Sequence, residues 1–259
     1  MAPAAGNDSE TELLYGLHAV REALKAGGRP LQRIHVLRTD KQFADVVQLA
    51  RAAHIPVHIQ PVSALDRLVP GGKHQGVIAF AAAKAYASEE TILGRASQRQ
   101  EAALLVILDG VEDPHNLGAV LRSAEGAGAH GVFIPERRAV GLTSVVAKAS
   151  AGAIDYLPVA RVTNMSRLIE TLKESGVWVY GVEPSAEKLI TEVDLTGPVG
   201  LVFGGEGKGI RPGVLQHCDD RIRIPMKGRV QSLNVSASAA VTLFEAVRQR
   251  ALAEKSAQR

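Results

Sequence analysis

The 259-residue chain holds one cysteine, Cys218, which leaves it without an internal disulfide framework or a cysteine-based zinc site. Aromatic residues are scarce, at 4% with a single tryptophan. That argues against a single-strand binder built mainly on aromatic stacking platforms. No run reaches the ~18 apolar residues of a membrane span, and the opening MAPAAGNDSETE lacks the basic start and apolar core of a secretion signal. The expectation is a cytoplasmic protein with no membrane partner. A one-sided charge is missing as well. Thirty Lys and Arg against 27 Asp and Glu give +3, which permits an RNA partner without requiring one. What is present is apolar content, 46%, enough for a packed core.

Residues 1–10 are small and polar and read as a loose tail. From 11 to 80, helix-like stretches at 18–25, 41–53 and 63–68 alternate with short strands at 33–37, 56–59 and 76–80, the pattern of a small α/β domain. Nine Lys and Arg lie in it, among them Arg21, Arg33, Arg38 and Lys73. Residues 81–101 lack a steady apolar face and read as a linker, partly helical. The run AALLVIL at 102–108 then suits a strand buried on both faces. Strands and helices alternate from there to a long helix over 234–253, on which Ala237, Ala240, Val241, Phe244 and Val247 form an apolar stripe. The expected unit at 102–259 is a parallel sheet covered by helices.

Three clusters in the second half break the local rules of helix and strand. In DGVEDPHNLGAVLR, 109–122, a buried strand ends and Asn116 stands at a helix N-cap, with Arg122 almost two turns on. The plain alternative is an ordinary cap with a surface Arg122–Glu125 pair. In FGGEGKGI, 203–210, four glycines require a sharp bend or a close approach to a ligand. The pattern is not a phosphate loop, because Gly209 stands where a Ser or Thr would hold magnesium. In IPMKGRVQSLNVS, 224–236, Ser232, Asn234 and Ser236 are more polar groups than one helix cap uses. The match to G-x-G-x-x-G at 126–131 follows a helix and precedes a strand, the reverse of a dinucleotide fingerprint, which disfavours an oxidoreductase.

Together the clusters resemble the three motifs of the SpoU/TrmH family of RNA ribose 2′-O-methyltransferases, within the knotted SPOUT superfamily. Asn116, Gly118 and Arg122 match the first motif, Gly205, Glu206 and Gly209 the second, and Pro225, Ser232, Leu233, Asn234 and Ser236 the third. The likeness covers about 103–250. The first half looks like the substrate-binding domain of the branch that modifies a guanosine of 23S ribosomal RNA. The resemblance implies an α/β fold: a C-terminal trefoil-knotted parallel-sheet methyltransferase domain, and a smaller α/β domain similar to a small ribosomal protein. It implies S-adenosylmethionine as cofactor, held by Gly204, Gly205, Ile224, Met226, Ser232 and Leu233, with no metal. Catalysis would fall to Arg122, Asn116, Glu206, Ser232 and Asn234, with Arg122 acting as base or as electrostatic stabiliser. The partners it implies are RNA, 23S above all, and a second copy of the chain. A tRNA substrate, or a non-catalytic RNA-binding assembly factor, is the competing reading.

Overall fold

The computed structural model describes residues 11–257, so the expected tail at 1–10 lies outside the described residues. The chain divides into two compact units. Among the described residues, the first comprises 11–85 with Leu142–Tyr156, and the second Tyr86–Gly141 with 157–257. The chain therefore passes from one unit to the other three times.

The first unit carries β1 (Thr11–Tyr15), α1 (Leu17–Ala26), β2 (Leu31–Val36), α2 (Ala44–Ala52), β3 (Val57–Ile59), α3 (Val62–Leu68) and β4 (Val77–Ala82). The strands form one mixed sheet in the order β1-β4-β2-β3, parallel only between β2 and β3. Leu14, Ile34, Val36 and Ala79 are buried, and so is the inward side of α1 and α2, Ala19, Val20, Ala23, Val46, Val47 and Ala50. The returning segment 142–156 adds α6 (Ser144–Ala149) and a 3-10 turn, Ala153–Asp155, which pack against β1 and α1. Arg29 Nε and Nη2 donate to Asp155 at 2.8 and 3.1 Å, and neither side chain is more than 3% exposed.

The expected boundaries at 80/81 and 101/102 differ from this division. Residues 81–101 contain the end of β4 and then α4 (Glu89–Arg99), a helix started by the Ser88 hydroxyl accepting from Thr91 N–H at 3.1 Å. Ile92 and Ala96 are buried, so a narrow two-residue face decides what the composition hid. Residues 142–156 belong with the first unit because Val146, Ala147 and Ile154 find their cover there.

The second unit continues with β5 (Leu104–Asp109), α5 (Pro114–Gly126), β6 (Gly131–Pro135), β7 (Val159–Val162), α7 (Met165–Glu174), β8 (Trp178–Val182), β9 (Lys188–Leu189), β10 (Val199–Gly204), α8 (Pro212–Leu215), β11 (Asp220–Arg223) and α9 (Val235–Ala257). Every strand pair is parallel, in the order β7-β6-β5-β10-β8-β11-β9. All six residues of β5 are buried. Ile92, Leu168, Ile169, Leu172 and Val214, from α4, α7 and α8, cover one sheet face against Leu105, Ile107 and Val202. On α7 the buried Met165, Leu168, Ile169 and Leu172 keep helical spacing.

Helices α5 and α9 pack on each other. The apolar stripe read from the sequence does not supply the buried face of α9. Val241 and Phe244 are 42% and 50% exposed, while Ala239, Thr242, Leu243 and Ala246 are buried. Small residues let α9 lie close to α5, and their low hydrophobicity masks the true core face in the sequence. Arg250 fastens the helix, donating to the carbonyls of Ala102, Ala103, Leu195 and Gly197 at 2.8–3.2 Å. Among the described residues, no helix is long and apolar enough to cross a membrane.

Candidate active site

From β5 the chain builds outward through β6 and β7, then crosses to β8, and β10 later enters between β5 and β8. The carboxyl ends of β5 and β10 are thus a topological switch point, where open parallel sheets leave a crevice for ligands. All three motif clusters contribute residues there.

Two cavities open at this place. The larger, about 570 Å³, is lined by Val182, Pro184, Phe203, the glycine-rich loop at 204–209, Ile224, Met226 and 231–234. The smaller, about 310 Å³, takes Asp109, Glu112, Asn116, Arg137, Arg138 and Arg211. Gly205, Glu206, Lys208, Gly209 and Val235 line both. Both volumes fall in the range of small-molecule sites.

The loop glycines serve the chain's own turns. A Cβ on Gly204 would collide with the Gly209–Ile210 backbone, and one on Gly205 with the Gly110 carbonyl. Gly207 and Gly209 adopt φ of 77° and 63°, the left-handed region that suits glycine. Gly205 and Gly209 bridge, and Gly205 N–H donates to Asp109 O at 2.9 Å. Beneath lies the Asp109 carboxylate, with no exposed side-chain surface. It accepts from the Arg211 backbone N–H and Nε, both at 2.8 Å, and so ties the end of β5 to the end of the loop.

Asn116 is not the cap of α5. Asp113 takes that position, accepting from His115 and Asn116 N–H at 2.6 and 3.1 Å, and Pro114 opens the helix. The Asn116 amide is thereby free to donate from Nδ2 to Glu206 Oε1 at 2.7 Å. Its Oδ1 accepts from Asn234 Nδ2 at 3.4 Å. Asn234 starts α9, its Oδ1 accepting from Ala237 N–H at 2.8 Å and from the Ser236 hydroxyl at 3.2 Å. One chain of amides and carboxylate thus joins the three clusters. Ser232 and Leu233 are exposed on the rim of the larger cavity.

Arg122 stands apart from this group. It is exposed on α5, lines neither cavity, and has no ion pair or hydrogen bond among the described residues, Glu125 included. Cys218 offers no nucleophile, since burial pushes its thiol up to about 12. Sequence reasoning missed Asp109, Arg211, Arg137, Arg138 and the residues at the end of β8. Only strand order, which periodicity does not carry, brings β8 to the site.

Comparison with known proteins agrees with this architecture. Residues 103–244 match the SpoU rRNA methylase family, and 13–87 match RNA 2′-O ribose methyltransferase substrate binding. YacO of Bacillus subtilis, provisionally named a TrmH family tRNA/rRNA methyltransferase, is 43% identical over 92% of this chain and 96% of its own. The 23S rRNA (guanosine-2′-O-)-methyltransferase RlmB of Coxiella burnetii is 41% identical over 93% of this chain and 97% of its own. Among solved structures, the SpoU methyltransferase AviRb of Streptomyces viridochromogenes, in complex with AdoMet, superposes with a TM-score of 0.79 at 25% identity, covering 95% of this chain and 94% of that one. By the family match and by these identities over nearly its full length, the chain belongs to the SpoU rRNA methylase family.

Proposed function

We propose that the protein transfers a methyl group from S-adenosylmethionine to the ribose 2′-hydroxyl of a guanosine in 23S ribosomal RNA. The observation that carries this reading is the pair of cavities meeting along Glu206, with Asn116 and Asn234 hydrogen-bonded at their junction. RlmB-named relatives near 40% identity support the choice of substrate, and AdoMet-bound family structures that of cofactor.

The larger cavity fits that cofactor. Val182, Pro184, Phe203, Ile224, Met226 and Leu233 offer apolar walls to an adenine and a methionine chain, and the loop at 204–209 offers bare backbone. Bound there, S-adenosylmethionine would supply an electrophilic methyl group on a sulfonium. The chain's task is then to orient a poor nucleophile and stabilise it as its proton passes to solvent, and orientation alone is worth much of such a barrier. In this reading Asn116 and Asn234 orient the ribose, Glu206 fixes Asn116, and Ser232 hydrogen-bonds substrate or cofactor. Arg122 stabilises the developing alkoxide or grips the adjacent phosphate, because a guanidinium, always a donor and never an acceptor, is a poor base.

The same reading includes a homodimer in the cytoplasm and a trefoil-knotted domain. Exposed Val241 and Phe244 on α9, with an exposed Arg122 on the adjacent α5 that has no ion-pair partner among the described residues, suit a second copy docking on these helices. The late entry of β10 between β5 and β8 suits the knot. Primer extension at limiting nucleotide, on 23S ribosomal RNA and tRNA incubated with protein and cofactor, tests the proposal. A cofactor-dependent stop at one 23S guanosine is expected. A stop on tRNA alone would shift the substrate, and methylation of neither would overturn the reading.

A further inference from the structure

We infer that Lys73 and Lys148 form an anchor for an RNA backbone phosphate in the first unit, remote in sequence from every motif residue; the inference rests on the function proposed above. The two lysines come from different passes of the chain, one just before β4 and the other from α6 of the returning segment. Lys148 Nζ donates to the Lys73 carbonyl oxygen at 2.7 Å and lies 4.7 Å from the centre of the Tyr15 ring. Neither ammonium has a carboxylate within ion-pair distance among the described residues.

That arrangement leaves both charges without a counter-ion among the described residues. The backbone bond brings Lys148 to the Lys73 main chain, and Lys148 is half-buried, where screening is weaker. Burial, and then Lys73, lower the proton affinity of Lys148. Carboxylates on flanking turns are engaged elsewhere: Asp66 by His74 at 3.0 Å, Glu22 by Lys25 and by the Tyr156 hydroxyl. Arg21 and Arg38, named among the basic candidates of this unit, are already paired with Asp45 and Asp40.

The surroundings hold the pair in place. Gln75, at φ 54°, accepts from Leu17 N–H through Oε1 at 3.1 Å, and Tyr15 backs Lys148. Exposed Gln75, two residues from Lys73, adds a side-chain amide donor. A nucleic-acid phosphate supplies the missing charge, and contacts of this type carry affinity and register rather than base identity.

The test is filter binding of the full-length protein to a 23S ribosomal RNA fragment without cofactor, from ~50 to ~200 mM salt. Lys73→Met and Lys148→Met should each raise Kd several-fold at the low-salt end and make the salt slope shallower by about 0.7–0.9. Lys148→Arg should keep the slope. Calorimetry with S-adenosylmethionine, expected to give the parent's affinity, reports folding; if Lys148→Met does not fold, Lys73→Met alone decides, since that side chain is exposed. Unchanged Kd and slope in Lys73→Met would overturn the anchor while leaving methyl transfer untouched. A lysine-dependent slope in a protein that methylates no RNA would overturn the function and leave the anchor standing.

Discussion

Asn116 faces a carboxylate on one side and an amide on the other, and that sets how it tolerates change. Asn116→Asp would bring a second carboxylate against Glu206, 2.7 Å from the present donor, whereas Asn116→Ala only removes the contact. Methyl transfer at pH 8 should fall further for Asn116→Asp than for Asn116→Ala, and the gap should narrow toward pH 5 as one carboxylate protonates. Equal losses across that range would separate Glu206 from the role given to it. His130 sets a second pH effect. Its Nδ1 accepts from Leu104 N–H at 3.0 Å and the ring is buried, so desolvation holds its pKa below the usual 6.5, against the pull of Glu101. The unfolded chain then binds a proton that the folded one resists. Stability is intact above pH ~6.5 and declines below it, by at most about 1.4 kcal/mol per pH unit for this group. Urea unfolding at pH 7.5 and 5.5 should show the decline, with a smaller one in His130→Gln; His35, also held low by burial, keeps it from vanishing. At this scale the sequence is a good guide to which residues gather and a poor one to their duties. Asn116 and Asn234 both look like caps; only Asn234 is one, because Asp113 had already satisfied the start of α5.

Among elements, strand identity was legible wherever burial is two-sided. AALLVIL could be little else than a central strand, and β5 is buried along its whole length. What escaped were elements whose signal is short or small: β1 with five residues, β9 with two, and the alanine-rich inner face of α9, while α4 with its two buried residues reads only as a partly helical linker. Strand order escaped too, since β10 is placed by tertiary packing rather than by local pattern. Arg250 belongs here because it acts for a whole helix. Four carbonyls accept from its guanidinium, Ala103 O also taking Val199 N–H, and the first pair precedes the strand that leads to the site. Arg250→Ala leaves those acceptors short of partners and should cost about 2–4 kcal/mol. Lysine, with a point charge instead of a fork, should recover less than half. Denaturant unfolding of the three proteins measures both differences; parity of Lys with Arg would mean that charge alone suffices.

The whole molecule gives two further tests. Because Arg122 lines neither cavity of its own chain, the dimer reading assigns it to the site of the second copy. Arg122→Ala and Glu206→Ala should each be inactive, and their mixture, after exchange of subunits, should regain about a quarter of parental activity, one intact site in half of the dimers; a mixture as dead as its components would return Arg122 to its own chain. The division into units bears on truncation. Removing residues 1–85 strips the cover from Val146, Ala147 and Ile154 and leaves Asp155 without Arg29. That fragment should bind a hydrophobic dye and melt early, and Val146→Ser with Ile154→Ser should improve it. A clean, cooperative melt without those changes would show that the returning segment needs no first unit.

The three passages of the chain between units also have a consequence for how the protein is made. Residues 11–85 leave the ribosome ahead of the segment that completes them, 142–156, whose last residue comes 71 residues after Ala85. At roughly 5–20 residues per second, that is a delay of several seconds or more. Throughout it the nascent first unit holds Arg29 without Asp155 and α1 without its later neighbours, while β5, α5 and β6 of the other unit are already being delivered. Synthesis order and folding order are therefore interleaved, and the N-terminal unit is finished only after the catalytic sheet has begun.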